Sequence, residues 1–393
     1  MGTKRVNDSL SFRGTGFQPV PNGARRARVI EELCTSARVE NPCYGDRIFN
    51  ITSRAVLMCV VMLIAGCGKP AGLIFPPVAN APHWPAAPQP KRIVYVGQLT
   101  SSADLKPAVP WTKRFGQALF GKKAVQSMLT PYALCTDGKD RLYVADSNAQ
   151  VVHVFDMQSR TYWKIFPAEQ PNHFSQPVGI AYDPAGRLFV SDSVAACVYV
   201  FDSSGKQLGT IGQQTLRRPC GLAYDPRTQR LFVADAGLHR VVVLSRSGEE
   251  IASIGGRGAK LGEFNFPTNV TIDSKGRLYV SDSLNFRVQE FGPDLQPIRQ
   301  IGKKGDMPGY FSQPKGVSVD SEDHLYAVDA NFEAVQIFNS EGALLMDFGQ
   351  EGRGPGEFWL PSGIFIDPHN RIWVADGYNR RVQVFDYVPE AKP

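Results

Sequence analysis

From Arg92 onward, short apolar runs alternate with clusters of Gly, Pro, Asp and Ser. Pro267–Gly302 shows one unit of the pattern. Val270–Ile272 leads into Asp273-Ser274-Lys275-Gly276, and Arg277–Val280 into Ser281-Asp282; Arg287–Phe291 follows, and Ile298–Ile301 closes on Gly302. Runs of this length, bounded by turn formers, predict four antiparallel strands rather than helices. Leu278-Tyr279-Val280 and its counterparts do not alternate with polar residues, which predicts strands covered on both faces. A lone four-stranded sheet cannot supply that cover, so the pattern has to recur.

It recurs six times. The leading prolines stand at Pro131, Pro177, Pro219, Pro267, Pro314 and Pro361, at intervals of 42 to 48 residues. An aspartate closes the second strand of each unit, at Asp146, Asp192, Asp235, Asp282, Asp329 and Asp376, in the contexts RLYVAD, RLFVSD, RLFVAD, RLYVSD, HLYAVD and RIWVAD. Four strands in a period of roughly 40–50 residues is the signature of propeller blades. The sixth unit lacks a fourth strand, because Tyr387 is followed only by VPEAKP. Arg92–Gly97 (RIVYVG) matches the fourth-strand endings LGTIG, IASIG, IRQIG and LMDFG, so it is expected to complete the last blade and close the ring. Closure removes the free sheet edges that invite aggregation. With about two of its apolar side chains buried, deleting residues 92–97 is expected to cost on the order of 3–6 kcal/mol.

Pro219-Cys220-Gly221, Val233-Ala234-Asp235, Leu238-His239-Arg240-Val241 and the loop Gly349–Phe358 (GQEGRGPGEF) resemble the consensus of the NHL-repeat family. That consensus runs Pro-x-Gly, apolar strand, V-A-D, N-H-R-I and a G-x-G-x-F loop, and the resemblance covers Arg92 to Tyr387. It implies an all-β fold, a six-bladed NHL/TolB-like β-propeller over residues 91–388 with a tail at 389–393. It implies no activity, since one propeller fold hosts many chemistries.

Charge separates a second region. The chain carries a formal +6, yet residues 1–67 hold nine Lys/Arg against five Asp/Glu, leaving 34 against 32 for the rest. A nearly neutral propeller lacks the electrostatic footprint of nucleic-acid binding, so no nucleic-acid partner is expected. Ala55–Ala65 (AVLMCVVMLIA) is an apolar run preceded by Arg47 and Arg54, too short to span a bilayer and of the right length for a signal core. Ending in Ile64-Ala65-Gly66-Cys67, residues 55–67 resemble a bacterial lipobox. The resemblance implies cleavage before Cys67 and its acylation, hence an exported, lipid-anchored protein of the cell envelope. Gly68 after the cysteine points to the outer membrane, facing the periplasm. Residues 1–54 form an Arg-rich extension without periodicity, read as disordered or as the product of a start codon assigned too far upstream. Residues 68–90, with seven prolines, read as an extended tether, in which Phe75 and Trp84 either meet lipid or a partner or are incidental.

Gly97 and Pro131 stand 34 positions apart, against 7 or 12 at the four later junctions that begin at a glycine. Trp111, Phe115 and Leu119 fall on one face of a predicted short helix, either a plug packed on the ring or a lid over its mouth. Cys135, Cys197 and Cys220 have no C-x-x-C spacing, which argues against zinc. They read as buried free thiols, with a Cys197–Cys220 or Cys135–Cys197 bridge open in an oxidising compartment.

The repeated aspartates look like a catalytic set. A carboxylate ending every second strand can accept N–H bonds from the following turn, however, so they read as capping groups. The loops GGRGAKLGEF, GKKGDMPGYF and GQEGRGPGEF are followed neither by a helix nor by Gly-Lys-Ser/Thr, so they are blade connections rather than phosphate cradles. Propellers resembling the peptidyl-hydroxyglycine amidating lyase hold zinc with histidines from several blades. Here the position four after the aspartate is Gln150, Ala196, His239, Phe286, Glu333 and Arg380, with one histidine, which disfavours that chemistry. A calcium-assisted lactonase resembling the gluconolactonase-like propellers would need Glu, Asp and Asn on the axis, and Asn269 has no evident partners. No cofactor is expected. What remains is the face that gathers the loops after second strands with those entering first strands. Its candidate binding residues are Tyr132, His239, Asn269, Asn285, Phe286, Lys315, Phe332, Glu333, Tyr378, Asn379 and Arg380. The expectation is a monomeric propeller that binds or scaffolds an envelope protein, peptide or glycan. The alternative is a hydrolase or lyase, lactonase-like or amidating-lyase-like, with a divalent cation on the axis.

Overall fold

The computed structural model describes residues 72–106, 124–169 and 173–389. The extension 1–54, the signal core, Cys67 and the Trp111–Leu119 face lie outside them. Within the unit Lys69–Pro393 the described residues form six antiparallel sheets. Their first strands are Pro131–Thr136, Pro177–Asp183, Pro219–Asp225, Pro267–Ile272, Pro314–Val319 and Pro361–Ile366, defining blades 1 to 6. Each touches the next, and blade 6 touches blade 1, so the ring is closed. Blade 4 continues with Leu278–Asp282, Arg287–Phe291 and Pro297–Ile301, in the predicted order.

Two local devices let six strands crowd round one axis. In every blade the register of the first strand shifts just after its proline, a bulge that bends the strand. In blades 2, 3, 5 and 6 a glycine two residues on then admits the neighbouring backbone. A Cβ on Gly179 would lie 1.9 Å from the Cys220 carbonyl oxygen, and one on Gly363 would lie 2.5 Å from that of Tyr132. Apolar clusters fill the wedges between blades. Phe232 and Val243 of blade 3 pack with Val280 and Phe291 of blade 4, and Phe264 from the intervening glycine-rich loop is fully buried among them.

Blade 6 is completed as expected. Ile93–Leu99 runs antiparallel to Arg381–Tyr387, Ile93 opposite Tyr387 and Leu99 opposite Val382. Ile93 and Tyr95 are buried while Val94 and Val96 are half-buried. The preceding segment departs from the tether reading. His83–Trp84 adds a fifth strand outside Ile93 and Val94. The Trp84 ring packs on Phe348 and Phe385, with centroids 5.7 and 6.0 Å away, and Phe75 meets Trp373 edge-on at 6.1 Å. Proline keeps this stretch extended, but an extended chain can still pair with a sheet edge, and two aromatic side chains draw it onto the seam.

The repeated aspartates are fully buried capping groups, and each does more than cap its own turn. Asp192 accepts N–H bonds from Val194 and Ala195 in the turn, and also from Ser175 and Gln176 at the entry to the same blade. Asp235 does the same with Gly237, Leu238, Arg217 and Arg218. One carboxylate therefore fixes both loops at one end of its blade. At the other end a second set of aspartates is paired with cations: Asp183 with Arg187 (2.8 Å), Asp225 with Arg227 (2.9 Å) and Asp273 with Arg277 (2.6 Å). Cys135, Cys197 and Cys220 are free thiols, and neither bridge left open by the sequence is formed. No helix among the described residues is long and apolar enough to cross a membrane.

Candidate binding face

Each leading proline lies opposite the repeat aspartate of its blade, so entry loops and second-strand turns share one end of the ring. The first strands line an axial channel of about 220 Å3. At its mouth stand the residues between proline and glycine: Tyr132, Val178, Cys220, Thr268, Lys315 and Ser362. The Ser362 hydroxyl donates to the carbonyls of Pro131 and Tyr132, and the Thr268 and Ser283 hydroxyls share a hydrogen bond. Lys315 Nζ lies 5.9 Å over the Tyr132 ring. Blade 6 intervenes between their blades around the ring, so the two side chains meet across the mouth. Burial lowers the Lys315 pKa, opposed by Glu333 nearby. Burial also pushes the Tyr132 phenol up to about 12, with Cys220 adding to the rise and Arg218 opposing it. Among the described residues, neither the Lys315 ammonium nor the Tyr132 hydroxyl has a hydrogen-bond or ion-pair partner. Asn269 takes the glycine position of blade 4 and packs on Gly221, where a Cβ would come within 2.5 Å of the Asn269 Cα.

Several residues expected on this face are committed to the fold. All six residues at the position four after the aspartate adopt left-handed backbone, φ 53° to 58°, so the position is first a turn geometry. His239 Nδ1 accepts the Phe266 N–H at 3.2 Å, and Glu333 Oε2 accepts the Leu360 N–H at 2.6 Å, each tying one blade to the entry of the next. Burial pushes the Glu333 carboxyl up to about 7, against the Leu360 N–H and with the neighbouring Asp376 and Glu351 adding to the rise. Asn285 Nδ2 donates to the Gly258 carbonyl and Asp282, and Asn379 Nδ2 to the Gly352 carbonyl and Asp376. His239 thus stands as a structural link, and among the described residues no group of three His, Cys, Asp or Glu side chains comes together to hold a metal ion.

The uncommitted residues are others. Tyr378 is 58 % exposed and packs on Trp359, itself under Arg353. Phe286 lies under Lys304 at 4.9 Å and Tyr310 under Lys303 at 4.5 Å. Phe332 is half-buried and Arg380 exposed. Arg217, Arg218, Lys303, Lys304 and Trp359 escaped the sequence reading, and Cys220 was read there as a thiol but not placed on this face. The slot between proline and glycine, tabulated across the six units, would have singled out Cys220 beside Tyr132 and Lys315.

This closed ring of six antiparallel blades defines a six-bladed β-propeller. The chain carries the NHL repeat within it: residues 264–291 match that repeat, and residues 320–388 match a family described as a 6-bladed beta-propeller. No curated protein matches the sequence. Among solved structures, a streptogramin B lyase is similar over 66% of this chain and 94% of its own, with TM-score 0.52 and 11% identity. An auxiliary nutrient binding protein from Bacteroides thetaiotaomicron covers 66% of this chain and 69% of its own at TM-score 0.54 and 14% identity. One from Bacteroides ovatus covers 67% and 70% at 0.53 and 12%. At these identities the likeness is one of fold alone, and it spans enzymes and binding proteins.

Proposed function

We infer that the propeller is a binding module of the cell envelope whose mouth face takes a protein, peptide or glycan partner. The observation that carries this reading is the set of side chains at the mouth that the fold leaves unused. The mouth presents cations without ion-pair partners among the described residues, beside exposed Val194, Leu284 and Tyr378. Residues that are rigidly carried yet unused by the fold are what recognition sites are built from. The lipobox resemblance supports attachment through Cys67 to the outer membrane. Labelled fatty acid should enter the wild-type protein and not Cys67→Ala.

The mouth itself is tested with Leu284→Ala combined with Tyr378→Ala, both exposed side chains whose loss should leave the melting temperature within about 2 °C. A partner isolated on the wild-type propeller should bind this variant at least tenfold more weakly. Unchanged affinity sinks the reading.

A further inference from the structure

The crescent of mouth from blade 3 to blade 5 has a charge and polarity of its own. The three connections spanning 212–218, 256–266 and 302–313 carry Arg217, Arg218, Arg257, Lys260, Lys303 and Lys304 against Glu263 and Asp306. No ion pair engages any of the six cations among the described residues. Leu261, Leu284 and Met307 stand exposed between them. At the inner edge of the crescent Lys315 reaches the axis, half-buried, with the Tyr132 ring beneath it, Glu333 nearby and Arg218 bordering the same phenol. A half-buried ammonium that makes no ion pair or hydrogen bond, although Glu333 lies nearby, has lost hydration, and an incoming carboxylate would supply the missing contact.

We propose that this crescent is the seat of an acidic, partly apolar peptide segment of the partner, one carboxylate of which enters the throat between Lys315 Nζ and the Tyr132 hydroxyl. The proposal rests on the binding reading above and gives that partner its chemistry. A single-stranded nucleic acid fits less well, because its bases need open aromatic faces, whereas Phe286 and Tyr310 are covered by Lys304 and Lys303. A uronate glycan would bring the carboxylate but has no use for Leu261, Leu284 and Met307.

The experiment is fluorescence anisotropy with a labelled dodecapeptide of Glu, Asp and Leu, set against its Gln/Asn counterpart, oligothymidylate and oligogalacturonate. The acidic peptide should bind at least tenfold more tightly than each of the other three and weaken as salt is raised. Lys315→Met should weaken it tenfold or more, Tyr132→Phe about threefold, and Lys315→Arg should recover part of the loss. Arg217→Glu with Arg218→Glu, both exposed, should also weaken it tenfold and carries the test should a throat variant fail to fold. Equal binding by Lys315→Met at wild-type melting temperature overturns the seat, as does tighter binding of oligothymidylate or oligogalacturonate. If no probe binds while the Leu284/Tyr378 variant still loses its isolated partner, the carboxylate seat falls and the mouth-face reading stands.

Discussion

Asp376 is fully buried and has four partners: the Trp359 N–H, Asn379 Nδ2, Arg381 Nε at 2.7 Å and Gln383 Nε2. Asp192 occupies the same position in blade 2, where four backbone N–H groups satisfy it. The difference predicts unequal costs. Asp376→Ala strands the Arg381 guanidinium in the interior and should cost about 3–5 kcal/mol. Asp192→Asn keeps an acceptor and should cost about 1–3 kcal/mol. Urea unfolding of the two variants checks this, and equal losses would contradict it. Glu333 gives a pH signature. Its carboxyl is held above its ordinary value, at about 7 in the fold, so the folded state binds the proton more tightly than the unfolded one. Stability from this group is therefore full at low pH and is lost as pH rises from the ordinary carboxylate range through about 7. Glu333→Gln keeps an acceptor for the Leu360 N–H and removes the charge. It should match wild type at pH 4 and exceed it by about 1–2 kcal/mol at pH 8, read from urea midpoints. At this scale the sequence showed the aspartates through their recurrence. It could not show what they hold, because Arg217 and Arg218 approach Asp235 only once the blade has formed. Nor does the repeat consensus speak for the slot that carries Cys220 and Lys315, since that slot is the one left to vary.

Among the elements, Ile93–Leu99 was legible because its sequence copies the fourth strands it replaces. Its two buried apolar side chains within 92–97, Ile93 and Tyr95, match the number expected. Tyr95 packs edge-on against Phe385 at 5.7 Å, so Tyr95→Ala should cost about 3–5 kcal/mol, measured by chemical denaturation. Residues 72–90 were misread because proline content reports extension, not attachment. Half-buried Trp84 makes the correction testable. Trp84→Ala should lower stability by about 1–3 kcal/mol, whereas a free tether would show no change in unfolding midpoint.

The ring as a whole was readable from period, strand count and the closing strand together, because propeller closure leaves little freedom once the blades are counted. The candidate face was readable only in outline. Second-strand turns and entry loops had to share one end, yet His239, Asn285, Glu333 and Asn379 turned out to be joinery between neighbouring loops, and the free groups came from connections whose reach depends on ring geometry. A binding face that tolerates replacement separates from a fold that does not. Substitutions at Tyr378 or Leu284 should change affinity with little change in melting temperature, and those at Asp376 or Tyr95 the reverse, so a joint scan of both quantities should fall into two groups.

The seam in blade 6 also dictates an order of events. Gln98 and Arg381 bond at 2.8 Å although 283 residues separate them, so blade 6 cannot finish until the other five have brought its halves together. Bringing together ends that far apart carries a loop entropy that shorter-range pairings within a blade avoid. During refolding, amide protons of Ile93–Leu99 should gain protection from exchange last. Until they do, Arg381–Tyr387 is an open strand on a nearly finished ring, the state most exposed to swapping its missing edge with a second copy.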